Sequence, residues 1–191
     1  MIPRTPLRRL IQRLWTATGW SFVGDPPKED VAILVGAPHT SNWDYLAMLA
    51  IAGHAGLPVK FLGKHTLFKG PLGYLSRATG GIPVDRENPS TVVSEIVERI
   101  QAGERFLLVI APEGTRARGA FWKSGFYRIA ETAGIPLVLG FIDKPTKTGG
   151  LGPTIHPSDI SQDMERIREF YEDKHGIVPR NRTEPRLREE S

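Results

Sequence analysis

The 191-residue chain has no cysteine, which excludes disulfides and thiolate chemistry. No apolar run approaches the ~20 residues that a membrane-spanning helix needs. No secretory signal is expected at the N-terminus, because Arg8, Arg9 and Arg13 interrupt its apolar stretch. These absences predict a cytoplasmic protein. No G-x-S-x-G is present, so the strand-to-helix elbow of the α/β-hydrolases has no support. No metal set is predicted, since His54, His65, His156 and His175 are scattered and His39 with Asp44 has no further ligand at a helpful spacing. Internal repeats are absent.

What is present describes a folded domain. Hydrophobic residues make up 40% and charged residues 24%, the balance of a globular chain, and the length suits one α/β domain with a sizeable core. Charge is unevenly placed. Residues 1–24 hold Arg4, Arg8, Arg9 and Arg13 and no acid, which accounts for the whole net charge of +4. Leu7, Leu10, Ile11 and Leu14 recur there at i, i+3, i+4 and i+7, one face of a helix, with Trp15 and Trp20 nearby. Arginines beside an apolar, tryptophan-bearing stripe suit an anionic bilayer surface; a basic helix packed on its own domain is the alternative. Nucleic acid is not expected as a partner, since the basic excess is one short arm without a binding motif.

The proline-rich break Asp25–Asp30 separates this arm from a domain over residues 25–175, and residues 176–191 read as a loose tail. Within the domain, continuous apolar runs predict buried strands at Val31–Val35, Val59–Leu62, Phe106–Ile110 and Ile135–Ile142. A short strand is expected within Gly80–Arg86, and another at Leu151–His156 after a glycine-rich turn. Helices are predicted from about Trp43 to Ala55, from Pro89 to before Gly103, over Phe126–Ala133, and after Ser158 as a cap. Thr66–Ala78 reads as a broken amphipathic stretch. Strands alternating with helices predict a single α/β domain, a central mostly parallel or mixed sheet flanked by helices. In such folds, reactive loops lie at the carboxyl ends of strands.

Three charged stretches follow predicted strands. In the first, Pro38-His39-Thr40-Ser41-Asn42-Trp43-Asp44, a continuous helix would put His39 and Asp44 ~140° apart. With His39 on a turn and Asp44 in the first helical turn, the carboxylate can instead point back at the imidazole. Pro38 discourages helix before His39, and Ser41 or Asn42 suits an N-cap. Such a pair makes histidine a better base by fixing its tautomer and stabilising the imidazolium. The second stretch is Asp85-Arg86. The third is Glu113-Gly114-Thr115-Arg116, where a glycine admits a ligand to the backbone and Thr and Arg donors suit phosphate. There Glu113 is expected to hold Arg116 or Lys123, or to accept from a hydroxyl.

In order along the chain stand His39-x-x-x-x-Asp44, Gly81-Ile82-Pro83-Val84-Asp85-Arg86, Pro112-Glu113-Gly114-Thr115-Arg116 and Ile135-Pro136-Leu137-Val138. Over residues 31–142 this set resembles the four motif blocks of the glycerolipid acyltransferases, the group of the 1-acylglycerol-3-phosphate acyltransferases. Pro38 stands where that family often has Asn, and Ala111 where it often has Phe or Val. The resemblance implies transfer of a fatty acyl group from acyl-CoA or acyl carrier protein to a hydroxyl of a lysophospholipid, a step of phospholipid biosynthesis. It implies His39 as base with Asp44 as its partner, and an acceptor phosphate site lined by Arg86, Glu113, Gly114, Thr115 and Arg116 with Lys64. No cofactor is expected beyond the acyl thioester itself. A lipid substrate together with the basic arm places the protein peripherally on the inner face of the membrane. A lipid or thioester hydrolase, and a non-enzymatic lipid-binding surface protein, are the competing readings.

Overall fold

The structure, a computed structural model, describes residues 13–84 and 88–190. Seven strands form one sheet in the order β1-β7-β6-β2-β5-β3-β4. They are β1 (Ser21–Val23), β2 (Ala32–Ala37), β3 (Val59–Lys64), β4 (Gly81–Val84), β5 (Leu107–Ile110), β6 (Leu137–Asp143) and β7 (Thr148–Ile155). Five helices accompany them: α1 (Asp44–Ala55), α2 (Gly70–Ala78), α3 (Pro89–Gln101), α4 (Gly125–Ala133) and α5 (Ile160–Tyr171). Residues 13–17 are also helical. The sheet is mixed. β6, β2, β5, β3 and β4 run parallel, β7 is antiparallel to β6, and β1 adds parallel to β7.

The unbroken apolar character of β2 is explained by burial on both faces. Ile33 and Val35 join Leu108, Leu137, Leu139, Ile96, Phe126 and Ile167 in one core, so α3, α4 and α5 cover that face. Ala32 and Leu34 join Leu107 and Val138 in a second core, closed by Ala52 of α1. The strand period of two assigns alternate residues to the two layers. This is the α/β sheet flanked by helices that the alternation predicts.

Several local expectations are corrected. The N-terminal arm does not extend to residue 24, because Ser21–Val23 is an edge strand of the sheet. Its pairing requires small residues on β7: a Cβ at Gly150 would lie 1.9 Å from the Val23 carbonyl oxygen. The glycines of 149–152 therefore belong to a strand rather than to a turn. The last helix is capped by Asp159, whose carboxylate accepts the Gln162 N–H at 2.9 Å, while the Ser158 N–H goes to Asp163 at 2.8 Å. The segment after Gly176, expected to be loose, packs on the domain. Leu187 is 3% exposed, and the Trp122 main-chain N–H donates to the Arg186 carbonyl at 2.7 Å.

Leu7, Leu10 and Ile11 of the arm lie outside the described residues. Leu14 is 60% exposed, whereas Trp15 packs tilted against Trp20 at 4.6 Å and Phe22 stacks on His54 of α1 at 4.6 Å. The end of the arm is thus held by aromatic contacts that leave its leucine facing outward. No described helix is long and apolar enough to cross a membrane.

Candidate active site

The central strand β2 ends at Ala37, and a cis Ala37–Pro38 peptide leads into the turn that carries His39. α1 begins at Asp44, with Trp43 rather than Ser41 or Asn42 in the capping position and without a side-chain cap bond. The capping is inverted. The Asp44 carboxylate folds back, and its Oδ2 accepts the N–H groups of Thr40 at 2.7 Å and Ser41 at 2.8 Å. The same oxygen lies 3.0 Å from His39 Nδ1, with the two side chains 25% and 9% exposed. The spacing thus produces the predicted pair across a helix start. With Nδ1–H directed at Asp44, Nε2 is the ring nitrogen left to take a proton, and it has no hydrogen bond among the described residues.

Glu113 completes the turn from the neighbouring strand. β2 and β5 pair in parallel, Val35 beside Ile110, so the loops leaving their carboxyl ends meet. Glu113 Oε1 accepts the His39 main-chain N–H at 2.8 Å. The residue is 5% exposed, and its Oε2 is buried without a partner among the described residues. Burial pushes the Glu113 carboxyl from 4.5 up to about 7, against the pull of the His39 N–H. The expected contact with Arg116 or Lys123 is replaced by this backbone bond, because the carboxylate points inward while both cations are exposed.

Beyond Glu113 the loop turns outward. A Cβ at Gly114 (φ +66°) would lie 2.8 Å from Lys123 Cε, so the Lys123 side chain crosses directly over the glycine. The Lys123 main-chain N–H is fixed to the Pro112 carbonyl at 2.8 Å. Thr115 and Arg116 are exposed, and the Arg116 guanidinium has no partner among the described residues. Lys64 is the last residue of β3, level with Val84 of β4 and at the same sheet edge as His39 and Glu113. Arg86 lies outside the described residues. Topology therefore brings the His39, Glu113 and Lys64 positions to one edge.

Two supporting groups carry no local sequence signal. Thr40 is buried, and its hydroxyl and carbonyl bond to residues about 140 positions away. Tyr171 on α5 directs its hydroxyl to the carbonyls of Val35 and Gly140, both at 2.9 Å, pinning α5 under the site. Burial, with the Glu113 charge nearby, holds that phenol well above its usual range, so it stays a neutral donor. Of the amides at the helix mouth, Ser41 N–H is spent on Asp44 and Trp43 N–H on Ser41 Oγ at 3.2 Å. The Asn42 N–H alone of these has no partner among the described residues.

Residues 24–139 match the acyltransferase family. The chain belongs to that family. The matched span of this acyltransferase takes in His39, Asp44, Lys64, Arg86 and Glu113 to Arg116. No curated protein sequence matches the chain. Its fold is similar to the crystal structure of the 1-acyl-sn-glycerophosphate (LPA) acyltransferase PlsC from Thermotoga maritima. The two share 19% identity at a TM-score of 0.61, over 89% of this chain and 77% of that one.

Proposed function

We propose that this acyltransferase moves a fatty acyl group from an acyl thioester to a hydroxyl of a lysophospholipid such as 1-acylglycerol-3-phosphate. The observation that carries the reading is the 3.0 Å His39–Asp44 pair, whose turn is bonded directly to Glu113 of the Glu-Gly-Thr-Arg loop. A base and an anion-seeking loop at one sheet edge suit an acceptor that bears both a hydroxyl and a phosphate.

In the proposed reaction, His39 Nε2 takes the proton of the acceptor hydroxyl as its oxygen attacks the thioester carbonyl. Asp44 stabilises the imidazolium. The Asn42 N–H is the donor offered to the developing oxyanion. Collapse of the tetrahedral intermediate breaks the C–S bond, and the imidazolium returns its proton to the departing thiolate. The products are an ester and a free thiol. A thioester is already activated, so the transfer is direct within a ternary complex, with no acyl-enzyme and no cofactor beyond the donor. Arg116, Thr115 and the Gly114 backbone, with Lys64 and Arg86, are assigned to the acceptor phosphate. Glu113 holds the His39 backbone through Oε1 and so fixes the turn that carries the base.

The donor is acyl-CoA or acyl carrier protein. The enzyme is proposed to work on the anionic inner face of a membrane, held by the basic arm. Exposed Leu14, and Trp43 at 65% exposed beside the catalytic turn, support that placement. Incubation with a labelled acyl thioester and a panel of lysolipids, with the products identified by mass, tests the reading. An acylated phospholipid is expected. Acyl release that does not depend on a lysolipid would make the protein a hydrolase.

A further inference from the structure

The family match ends at residue 139, yet the segment after Gly176 reaches back into the site. It is anchored before it arrives: the His175 N–H donates to Asp143 at 2.8 Å, and the Lys144 N–H to the Gly176 carbonyl at 3.2 Å. It then crosses the His39 turn at Thr40. Thr40 Oγ1 accepts the N–H groups of Ile177 at 3.1 Å and Val178 at 3.0 Å, and Asn181 Nδ2 donates to the Thr40 carbonyl at 3.1 Å. The approach is close, since a Cβ at Gly176 (φ +73°) would sit 2.8 Å from Thr40 Oγ1. Arg182 bonds the Tyr171 carbonyl at 2.9 Å, and the segment goes on to the loop after Arg116. There Thr183 Oγ1 accepts the Gly119 N–H at 2.8 Å and the Thr183 carbonyl accepts Trp122 Nε1–H at 3.3 Å.

We infer that residues 177–183 form a strap across the active site, with Thr40, Asn181 and Thr183 as positioning residues for acyl transfer. Thr40 is the point of leverage. Its main-chain N–H holds Asp44 Oδ2, the oxygen that orients His39, while its hydroxyl and carbonyl are spent on the strap. Asp44 is therefore positioned from two sides, by its own helix and by the strap. Thr183 ties the same strap to Gly119 and Trp122, just beyond the loop assigned to the acceptor. One segment thus bonds both the turn that carries the base and the chain leading on from the acceptor's phosphate loop. These residues act through Asp44 and through the loop. The inference rests on His39 being the base of the reaction proposed above.

The test uses the full chain and the variants Thr40→Val, Asn181→Asp and Thr40→Ser. Valine keeps the shape of threonine without the accepting oxygen, aspartate keeps that of asparagine without the donor, and serine keeps the oxygen. Two measurements are made: steady-state kinetics with acyl thioester and lysolipid, and the ring signals of 15N-labelled histidine, with His39 assigned by its loss in His39→Gln. Misplacement by about 1 Å can cost ~10²-fold, so kcat is expected to fall by about 10-fold or more in Thr40→Val and Asn181→Asp, with KM within about twofold. Thr40→Ser is expected to recover most of the loss. The His39 ring signal should shift or exchange faster with solvent in Thr40→Val. Wild-type kcat with an unaltered ring signal overturns the strap. A lowered melting temperature with kcat preserved also overturns it, since the segment is then purely structural. If the wild type acylates no lysolipid, the proposed function fails, and the ring signal alone decides the strap.

Discussion

The Glu113 carboxylate accepts the His39 main-chain N–H at 2.8 Å across 74 residues of chain. It is the direct bond between the turn that carries the histidine and the Glu-Gly-Thr-Arg loop. It places a buried carboxyl, with one oxygen unpartnered among the described residues, beside the site.

That burial has a pH consequence. The folded carboxyl titrates at about 7 against 4.5 for the free group, so the native state holds a proton that the unfolded chain has released between those values. The contribution is fully present below pH 4.5 and is lost as pH rises toward 7, with a span of roughly 3 kcal/mol. Glu113→Gln keeps the accepting oxygen and cannot ionise. Thermal melts from pH 4.5 to 8 should show a smaller fall in stability for Glu113→Gln than for the wild type across that window. Parallel curves would mean that Glu113 does not titrate there.

His39→Ala is expected to lower acyl transfer by ~10²–10⁴, the share of a positioned general base, in a protein that keeps its circular dichroism. Asp44→Asn should cost less, because the amide oxygen can still accept from Thr40 and Ser41 while the charge opposite the imidazolium is lost. Near-wild-type turnover by folded His39→Ala would falsify the mechanism.

Arg116 is exposed and lacks a partner among the described residues, so its removal should leave the fold intact. Arg116→Ala is expected to raise KM for a phosphate-bearing lysolipid well above any change in KM for the thioester. Arg116→Lys should restore only part of this, since one ammonium cannot reproduce a bidentate guanidinium. Equal losses for the two substrates would remove Arg116 from the acceptor site.

Trp15 packs against Trp20 and stacks on Phe22 of β1, so residues 13–20 belong with the domain, and the membrane test should spare them. Deleting residues 1–12 removes Arg4, Arg8 and Arg9, each contributing ~1 kcal/mol near an anionic surface. The shortened chain should stay folded, bind anionic vesicles more weakly in co-sedimentation, and lose turnover on bilayer substrate more than on monomeric short-chain lysolipid. Undiminished vesicle binding would move the attachment site to other surfaces, such as exposed Trp43.

The parts legible in the sequence were those with a local cause. Unbroken apolar runs mark strands that are buried on both faces, as in Ala32–Val35, because each residue meets one of two helix layers. The His39–Asp44 pair was legible because the four residues between them, forming a turn and a helix start, suffice to bring the groups together. Where local chemistry misled, distant packing was the reason. Gly149–Gly152 reads as a turn, but those glycines make room for β1 and α5. The tail after Gly176 reads as loose from its prolines and arginines, but Leu187 and the carbonyls of Thr183 and Arg186 find partners around Trp122.

By itself the sequence determined which chemical groups the chain offers and which short segments carry them: a histidine–aspartate turn, an acid-glycine-threonine-arginine loop, and a basic end. The tertiary structure alone decided how those groups are held. The parallel pairing of β2 with β5 sends the Glu113 carboxylate to the His39 backbone rather than to a nearby cation. The return of residues 177–183 across the sheet edge gives Thr40 its partners. Both depend on contacts between residues 74 or more apart in the chain, and a hydrogen bond over such a separation leaves no periodicity or spacing in the sequence.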